Sequence, residues 1–383
     1  MQTELQRCKK FERHKGLHGL QMTAIIGIMT NVRLPIAIVA FTLPSLAQWL
    51  SQPTAGIPRT ADGKPNLTAP APRTADGKPD LSGLWRLGVE VGISANITAG
   101  MAPGDIQPWA NALSRQRLED FGKDDPEITG CKPGGPRHIT HGGLTKVVQT
   151  PGLIAMLYED LSYRQVFLDG RQLPVDPNPS WMGYSVGHWE GDVLVVESAG
   201  FNDRTWLDFA GHPHTEALKI TERYRRRDFG HMDLQVTLED PAAYAKPLTV
   251  SAGGTLAADT ELIEYVCAEN EKDRSHLVGR TAEEKKVTVA PEILAKYVGI
   301  YEVRSPNQFD SRTPRNVFNI ILSDGELFID LQGKGRVPMI PLSETLFSPR
   351  LLGTYEFVKD EKGEVAYMLV HSAEEVLKAV RRK

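Results

Sequence analysis

The 383-residue sequence lacks an excess of basic residues and lacks any apolar run of membrane-spanning length. Its formal net charge is -4, which gives no indication of binding to nucleic acid or to an anionic membrane surface. The sequence contains no nucleophile elbow, phosphate-binding loop, dinucleotide fingerprint or zinc-protease helix. Several large enzyme classes therefore lose support. What remains is an ordinary globular composition, with 41% hydrophobic and 24% charged residues.

The N-terminal region predicts export. Arg33 precedes the apolar run Leu34 to Leu43, and Ser45-Leu46-Ala47 then offers small residues at the positions that a signal peptidase reads. That run is too short to cross a hydrocarbon core of about 30 Å. We expect residues 1–47 to be a signal peptide preceded by a mis-started leader, with Met22 or Met29 as the true start. The alternative is an uncleaved membrane anchor. The expected location is the periplasm or the medium, without a membrane span in the mature protein.

Cysteine is scarce, and its distribution predicts one disulfide. Cys8 falls in the part that we expect to be removed, which leaves Cys131 and Cys267. An even pair in an oxidising compartment favours a bridge. The alternative is two buried thiols.

Proline and glycine divide the remaining chain into β-rich parts. Residues 48–80 are predicted to be a Pro-rich linker, in which Pro58 to Pro65 recurs as Pro72 to Pro79. Residues 81–275 carry many short alternating segments joined by Gly/Asp turns, ending with Leu262 to Cys267, and predict the main β-barrel. One helix is expected at about Pro108 to Phe121.

After a charged boundary, residues 291–372 predict a smaller lipocalin-like β domain, and residues 373–383 predict a C-terminal helix. The fold class is therefore mostly β, with two antiparallel lipocalin-like barrel or sandwich domains.

Two stretches carry resemblances to known families. Gln149-Thr150-Pro151-Gly152, Asp176 to Trp181, Gly183 to Asp192 and Gly200 to Trp206 resemble a family of secreted soil-bacterial proteins over about residues 70–275. That resemblance implies export but no particular activity. Leu294 to Tyr301, the Gly325-Glu326-Leu327 hairpin and Phe347 resemble the lipocalin-like accessory domain of β-lactamase-like proteins. The chain has no convincing Ser-x-x-Lys motif, so this second resemblance does not imply the hydrolase itself.

Titratable residues are concentrated in one part of the predicted main barrel. Six of the ten histidines lie between positions 138 and 231. Imidazoles beside carboxylates can carry out acid–base chemistry or hold a metal, and the alternative is that they fix loops by hydrogen bonding. The residues predicted to be catalytic are His188, Asp203, His212, His214 and Glu222. No metal ligands are assigned, and the cofactor is unknown.

Strand alternation and loop composition predict ligand contacts. In Leu218 to Arg226, Glu222 and Arg226 share a face with apolar residues, which predicts a buried ion pair or a polar cavity wall. The full set of predicted ligand-binding residues is Glu159, Arg164, Tyr184, Trp189, Arg204, Trp206, Tyr224 and Arg226.

Three functions remain open. The first is an exported small-molecule enzyme using His/carboxylate acid–base chemistry, of lyase, isomerase or hydrolase type and with metal assistance as an option. The second is a non-catalytic binding protein for a hydrophobic or glycosidic ligand. The third is an envelope interaction protein. The expected partner is a small molecule, nucleic acid is not expected, and the sequence leaves the oligomeric state open.

Overall fold

The computed structural model describes residues 53–89, 94–141, 143–267, 286–303, 317–330, 336–349, 353–371 and 376–382. The predicted signal segment 1–47 and Cys8 lie outside these residues. The predicted mostly-β class is confirmed, since strands account for 42% and helices for 10% of the structure. The strands form two nine-stranded sheets. No helix within the described ranges is long and apolar enough to cross a membrane.

The first sheet is a closed barrel of nine strands in sequence order. Its strands are β1 Gly83–Val89, β2 Gly143–Gln149, β3 Leu153–Tyr158, β4 Tyr163–Phe167, β5 Tyr184–Glu190, β6 Val193–Ala199, β7 Lys219–Arg226, β8 His231–Glu239 and β9 Leu248–Leu256. The pairs are antiparallel except β4 with β5, which runs parallel because residues 168–183 return the chain along the barrel. We expected antiparallel pairing throughout.

Alternating side chains fill the barrel, as the pattern of β7 predicts. Ile220, Glu222 and Tyr224 are buried, Thr221 and Arg223 between them are half-buried, and Arg225 is exposed. The core also contains the fully buried Trp85.

Long connections gather at one end of the barrel. The segments before β2, between β6 and β7, and between β8 and β9 all lie where β3 ends and β4 begins. We call this the loop end. The opposite turn end carries the short connections 150–152, 191–192 and 227–230. Two helices belong to the loop end, α1 Pro108–Glu119 and α2 Pro136–His141. The predicted helix at Pro108 is therefore confirmed.

The predicted disulfide is confirmed. Cys131 and Cys267 are bonded, with their Cα atoms 5.6 Å apart. The bridge ties the segment that follows β9 to the segment between α1 and α2. The strand predicted at Leu262 to Cys267 is wrong, because β1 and β9 already pair with each other and leave the barrel no edge.

The linker prediction is wrong for residues 53–80. The two repeats fold as hydrogen-bonded turns held against the turn end by Arg59–Asp259 and Arg73–Asp192 ion pairs. Proline excludes helices and central strands, but it does not exclude compact turns.

The second sheet begins after helix α3 Pro291–Tyr297. Its strands are β10 Gly299–Val303, β11 Val317–Ser323, β12 Glu326–Asp330, β13 Arg336–Pro338, β14 Ile340–Pro341, β15 Leu346–Ser348, β16 Thr354–Lys359, β17 Val365–His371 and β18 Val376–Arg381. The predicted helix at 373–383 is wrong, because β18 pairs with β10 on one side and β17 on the other. Ala379 is fully buried on the inner face. The backbone hydrogen bonds that β18 makes with β10 and β17 outweigh the amphipathic pattern that suggested a helix.

Candidate functional site at the loop end of the barrel

Helix α2 organises the loop end through Arg137. This side chain is 1% exposed and pairs with Asp125, at 3.0 Å from Nη1 to Oδ2. It also donates to the carbonyls of Trp206 and Asp208, at 3.4 and 3.0 Å. A buried guanidinium must have its donors satisfied, so Arg137 fixes the loop after β6 against α2. Trp206 lies between Arg137 and Arg117, whose guanidinium is 4.7 Å from the ring centroid.

That loop carries a carboxylate and an imidazole, and they form a line with the hydroxyl of Thr98, which lies between β1 and α1. Asp208 Oδ2 lies 2.6 Å from His212 Nδ1, and His212 Nε2 lies 2.9 Å from Thr98 Oγ1. Asp208 also accepts the backbone N–H groups of Ile97 and His212. Burial opposes ionisation of Asp208, but the neighbouring His212 and these hydrogen bonds outweigh it and lower the pKa of the carboxyl. Asp208 therefore orients the ring so that Nε2 faces the hydroxyl.

His214 occupies a separate pocket of the same loop. Its Nε2 lies 2.6 Å from Thr205 Oγ1, and its Nδ1 lies 3.2 Å from the carbonyl of Thr215. Burial lowers the pKa of His214, so the ring is neutral at neutral pH. Tyr244 donates to the carbonyl of Pro213, between the two histidines, at 2.7 Å.

Two more histidines, His138 and His141, belong to helix α2. His138 stacks on Tyr158, with ring centroids 4.6 Å apart, and its Nε2 lies 2.9 Å from Asp160. His141 packs edge-on against Phe209 at 4.2 Å, and burial lowers its pKa to about 4. Its Nδ1 is buried without a hydrogen-bond partner in the described chain. A buried polar atom left unpaired costs about 1–3 kcal/mol, so this nitrogen requires a functional or hydration explanation.

Beneath these loops, the barrel interior contains a polar layer. Arg164 forms a two-point pair with Glu222 and donates to Ser185 and Ser198 at 2.9 and 2.7 Å. Tyr224 donates to Glu222 at 2.6 Å. Burial lowers the pKa of Arg164, but the charge of Glu222 outweighs it and raises the pKa overall. A buried Glu–Arg pair is thus present, although the sequence suggested Arg226 as the partner.

An open groove lies on the outside of the loop end. Its volume is about 660 Å³, within the usual range of ligand pockets. Charged residues of both signs line it, including Asp176, Glu216, Lys219 and Lys246. Tyr244 lines the groove and donates to the carbonyl of Pro213, next to His212 in sequence.

The five residues predicted to be catalytic do not share one site. His188 is exposed on the barrel exterior, 3.4 Å from Glu190, because it alternates with the inward-facing Ser185 and Gly187. Asp203 is exposed on its loop, and Glu222 lies inside the barrel. Of the five, only His212 and His214 are buried in the loop between β6 and β7. The five residues therefore do not form one constellation, and the catalytic role of each stays a prediction.

The predicted ligand-binding residues are also dispersed. Arg164, Tyr224, Arg226 and Trp206 are buried in the protein, and Tyr184 is bonded to Arg171 on the outside. Glu159 bonds to backbone, Trp189 packs beside the core, and Arg204 is exposed. Arg226 is committed to backbone carbonyls, including that of Asp228 at 3.2 Å.

The sequence reasoning missed Thr98, Arg137 and the pairing of Asp208 with His212. The i,i+4 spacing of Asp208 and His212 is a usable local signal. Thr98 lies 114 positions from His212 and gives none. No group of three or more metal-ligating residues occurs among the described residues.

Comparisons with known proteins add no family to these observations. No family model, no curated protein and no solved structure matches this chain.

Proposed function

We propose that this chain is an exported enzyme that acts on a small polar molecule by acid–base chemistry, with His212 as the proton-transfer group. The observation that carries the proposal is the Asp208–His212–Thr98 line. A carboxylate on one ring nitrogen and a hydroxyl on the other orient an imidazole for proton transfer. Asp208 fixes the ring, and the hydroxyl of Thr98 is the hydrogen-bond partner of Nε2.

The hydroxyl of Thr98 supports two protonation states in one geometry. It has one proton but two acceptors in reach, His212 Nε2 at 2.9 Å and Asn96 Oδ1 at 3.0 Å. Donation to His212 leaves a neutral ring. Donation to Asn96 allows Nε2 to carry a proton, with the imidazolium balanced by Asp208. The ring can therefore gain and lose a proton without moving heavy atoms.

The groove beside Tyr244 is the proposed substrate site. It lies at the same end of the barrel as His212, and its mixed charges suit a polar molecule. Substrate must reach Nε2 past Tyr244, because His212 is only 6% exposed. The Cys131–Cys267 bridge supports export, since disulfides persist mainly in oxidising compartments.

A specific observation favours a second candidate, a non-catalytic binding protein. Both ring nitrogens of His212 already have partners, and His212 is not among the residues that line the groove. In that case Asp208 and His212 fix the wall of a binding groove and take no part in chemistry.

One experiment separates the two candidates. The full-length mature protein and its His212→Gln variant are incubated with a bacterial culture filtrate, and the small molecules are followed by mass spectrometry. The matched control is His231→Gln, because His231 also contacts an aspartate, Asp228 at 2.8 Å, but at the turn end. Thermal melts establish that all three proteins are folded.

We expect compounds that the wild type and His231→Gln convert and that His212→Gln leaves unchanged. Compounds retained by the protein without conversion would support the binding candidate instead. The enzyme proposal fails if the folded His212→Gln variant converts the same compounds at the wild-type rate.

A further inference from the structure

Another cavity lies between helix α1 and the second sheet. Its volume is about 260 Å³, and it shares no lining residue with the groove beside Tyr244. Helix α1 contributes Leu118 to one wall, and strands of the second sheet form the opposite wall. The N–H of Val287 donates to the carbonyl of Pro341 at 2.9 Å, which ties the chain before α3 to β14. The cavity is therefore distinct from the site proposed at His212.

The floor of this cavity is apolar. Leu294 of α3, Leu327 of β12 and Met339 line it, and all three belong to the hydrophobic core of the second sheet. An apolar group that displaces water from such a surface gains free energy of binding. The volume lies just below the usual range for drug-sized ligands, which indicates a small ligand with one short apolar side chain.

Four charged side chains of alternating sign also line the cavity. Arg115 Nη2 lies 3.2 Å from Glu326 Oε1, and Lys286 Nζ lies 3.7 Å from the same oxygen. Lys286 Nζ also lies 2.6 Å from Glu119 Oε1. These side chains are 35–59% exposed, so each pair contributes at most about 1 kcal/mol and can exchange its partner at low cost. The two positive and two negative charges balance, which disfavours a ligand with a net charge.

Charges of both signs have hydrogen-bonding capacity left for a ligand. Arg115 uses one of its side-chain N–H donors, on Glu326, among the described residues. The Oε2 atoms of Glu119 and Glu326 accept no hydrogen bond within the described chain. A ligand carboxylate fits the guanidinium, and a ligand ammonium group fits the two glutamates.

We infer that this cavity binds the zwitterion of a free α-amino acid with an apolar side chain. The ligand carboxylate pairs with Arg115, the ammonium group pairs with Glu326, and the side chain lies on Leu327 and Met339. Binding replaces weak, solvated ion pairs within the protein by ion pairs with the ligand, and burial of the apolar side chain is the net gain. The inference does not depend on the chemistry proposed for His212.

Four small molecules separate the contributions of the two charges and of the side chain. Leucine is titrated into the full-length mature protein by isothermal titration calorimetry, and amide NMR shifts at Leu327 and Met339 locate the binding. Isocaproate lacks the ammonium group, isoamylamine lacks the carboxylate, and glycine lacks the apolar side chain. We expect leucine to bind at least about tenfold more tightly than glycine. It should bind about three- to tenfold more tightly than either singly charged compound.

Arg115→Gln provides the variant test. It should weaken leucine binding to about the affinity of isoamylamine and leave isoamylamine binding unchanged, because only leucine has a carboxylate. The matched control is Arg382→Gln, since Arg382 forms a partly exposed pair with Glu302 at 3.0 Å and does not line the cavity. This control should bind leucine as the wild type does.

Three results would each overturn the inference. The first is no leucine binding at millimolar concentration, and the second is a singly charged compound that binds as tightly as leucine. The third is leucine binding that Arg115→Gln leaves unchanged. Leucine-induced shifts at Tyr244 in place of Met339 would locate binding in the groove and would also overturn it.

Discussion

Replacing Arg164 with methionine should destabilise the first barrel more than any surface substitution. Arg164 and Glu222 are 2% and 0% exposed as side chains, so the change leaves a buried carboxylate whose remaining donor is Tyr224. Removing one partner of a buried pair costs about 3–5 kcal/mol. Ser185 and Ser198 lose a donor as well, which places the expected loss toward the upper part of that range.

The loss is measured by urea unfolding followed through tryptophan fluorescence. All six tryptophans precede residue 207, so the second sheet contributes no signal to this assay. The matched control is Arg223→Met on β7, next to Glu222, because the partly exposed pair of Arg223 with Glu190 contributes at most about 1 kcal/mol. Because the buried pair is shielded from solvent, its contribution should also persist in about 1 M salt, where the screening length is ~3 Å.

The double variant Arg164→Met, Glu222→Leu completes the test. With no unpaired charge left inside, it should lose less stability than the sum of the single variants, by roughly 2–3 kcal/mol. The reasoning is refuted if Arg164→Met costs no more than Arg223→Met. Strict additivity of the two single changes would equally show that the pair is not coupled.

Three further predictions concern the loop end, the disulfide and the second sheet. Burial lowers the pKa of His141 to about 4, so the folded protein favours the neutral ring. The resulting contribution to the free energy of unfolding is present above about pH 6.5 and is lost as the pH falls toward 4. His141→Gln should therefore flatten the pH dependence of stability between these two values, measured by urea unfolding. Reducing Cys131–Cys267, which are 136 positions apart, should lower the unfolding free energy by up to about 4–5 kcal/mol, while Cys131→Ser should make the protein insensitive to reductant. Truncation after His371 removes β18 and should unfold the second sheet without changing the tryptophan transition of the barrel; an intact second sheet by NMR would contradict the pairing.

Local alternation accounts for the parts of the fold that were predictable. In β7 the period of two distinguishes the buried Ile220, Glu222 and Tyr224 from their less buried neighbours, and the short Gly/Asp turns locate the hairpins. The same rule applied to β4 places Arg164 on the inner face with Val166. Burial of both charges could therefore be predicted, but not their pairing, because positions 164 and 222 are on strands that do not neighbour each other.

Where the sequence reasoning failed, long-range pairing decided the outcome. The residues of β18 suit a helix until the open edges of β10 and β17 are considered. The proline-rich repeats were predicted to be a linker because nothing local reveals Asp192 and Asp259 as partners. The scattering of the predicted catalytic residues has the same cause, since proximity in sequence around His212 does not extend to His188 on the outside of β5.

Saturation of hydrogen bonds decides which polar cluster is open to a ligand. In the interior layer, Arg164 uses four of its five N–H donors on Glu222, Ser185 and Ser198, so a ligand there would first have to break a buried ion pair. At the loop end the hydroxyl of Thr98 has two alternative acceptors, and the Nδ1 of His141 has none within the described chain. Chemistry requires groups that can change partners at low cost. Among the described residues the loop end has such groups and the interior layer does not, so substitutions at the loop end should alter the proposed chemistry, whereas substitutions of the interior layer should alter stability alone.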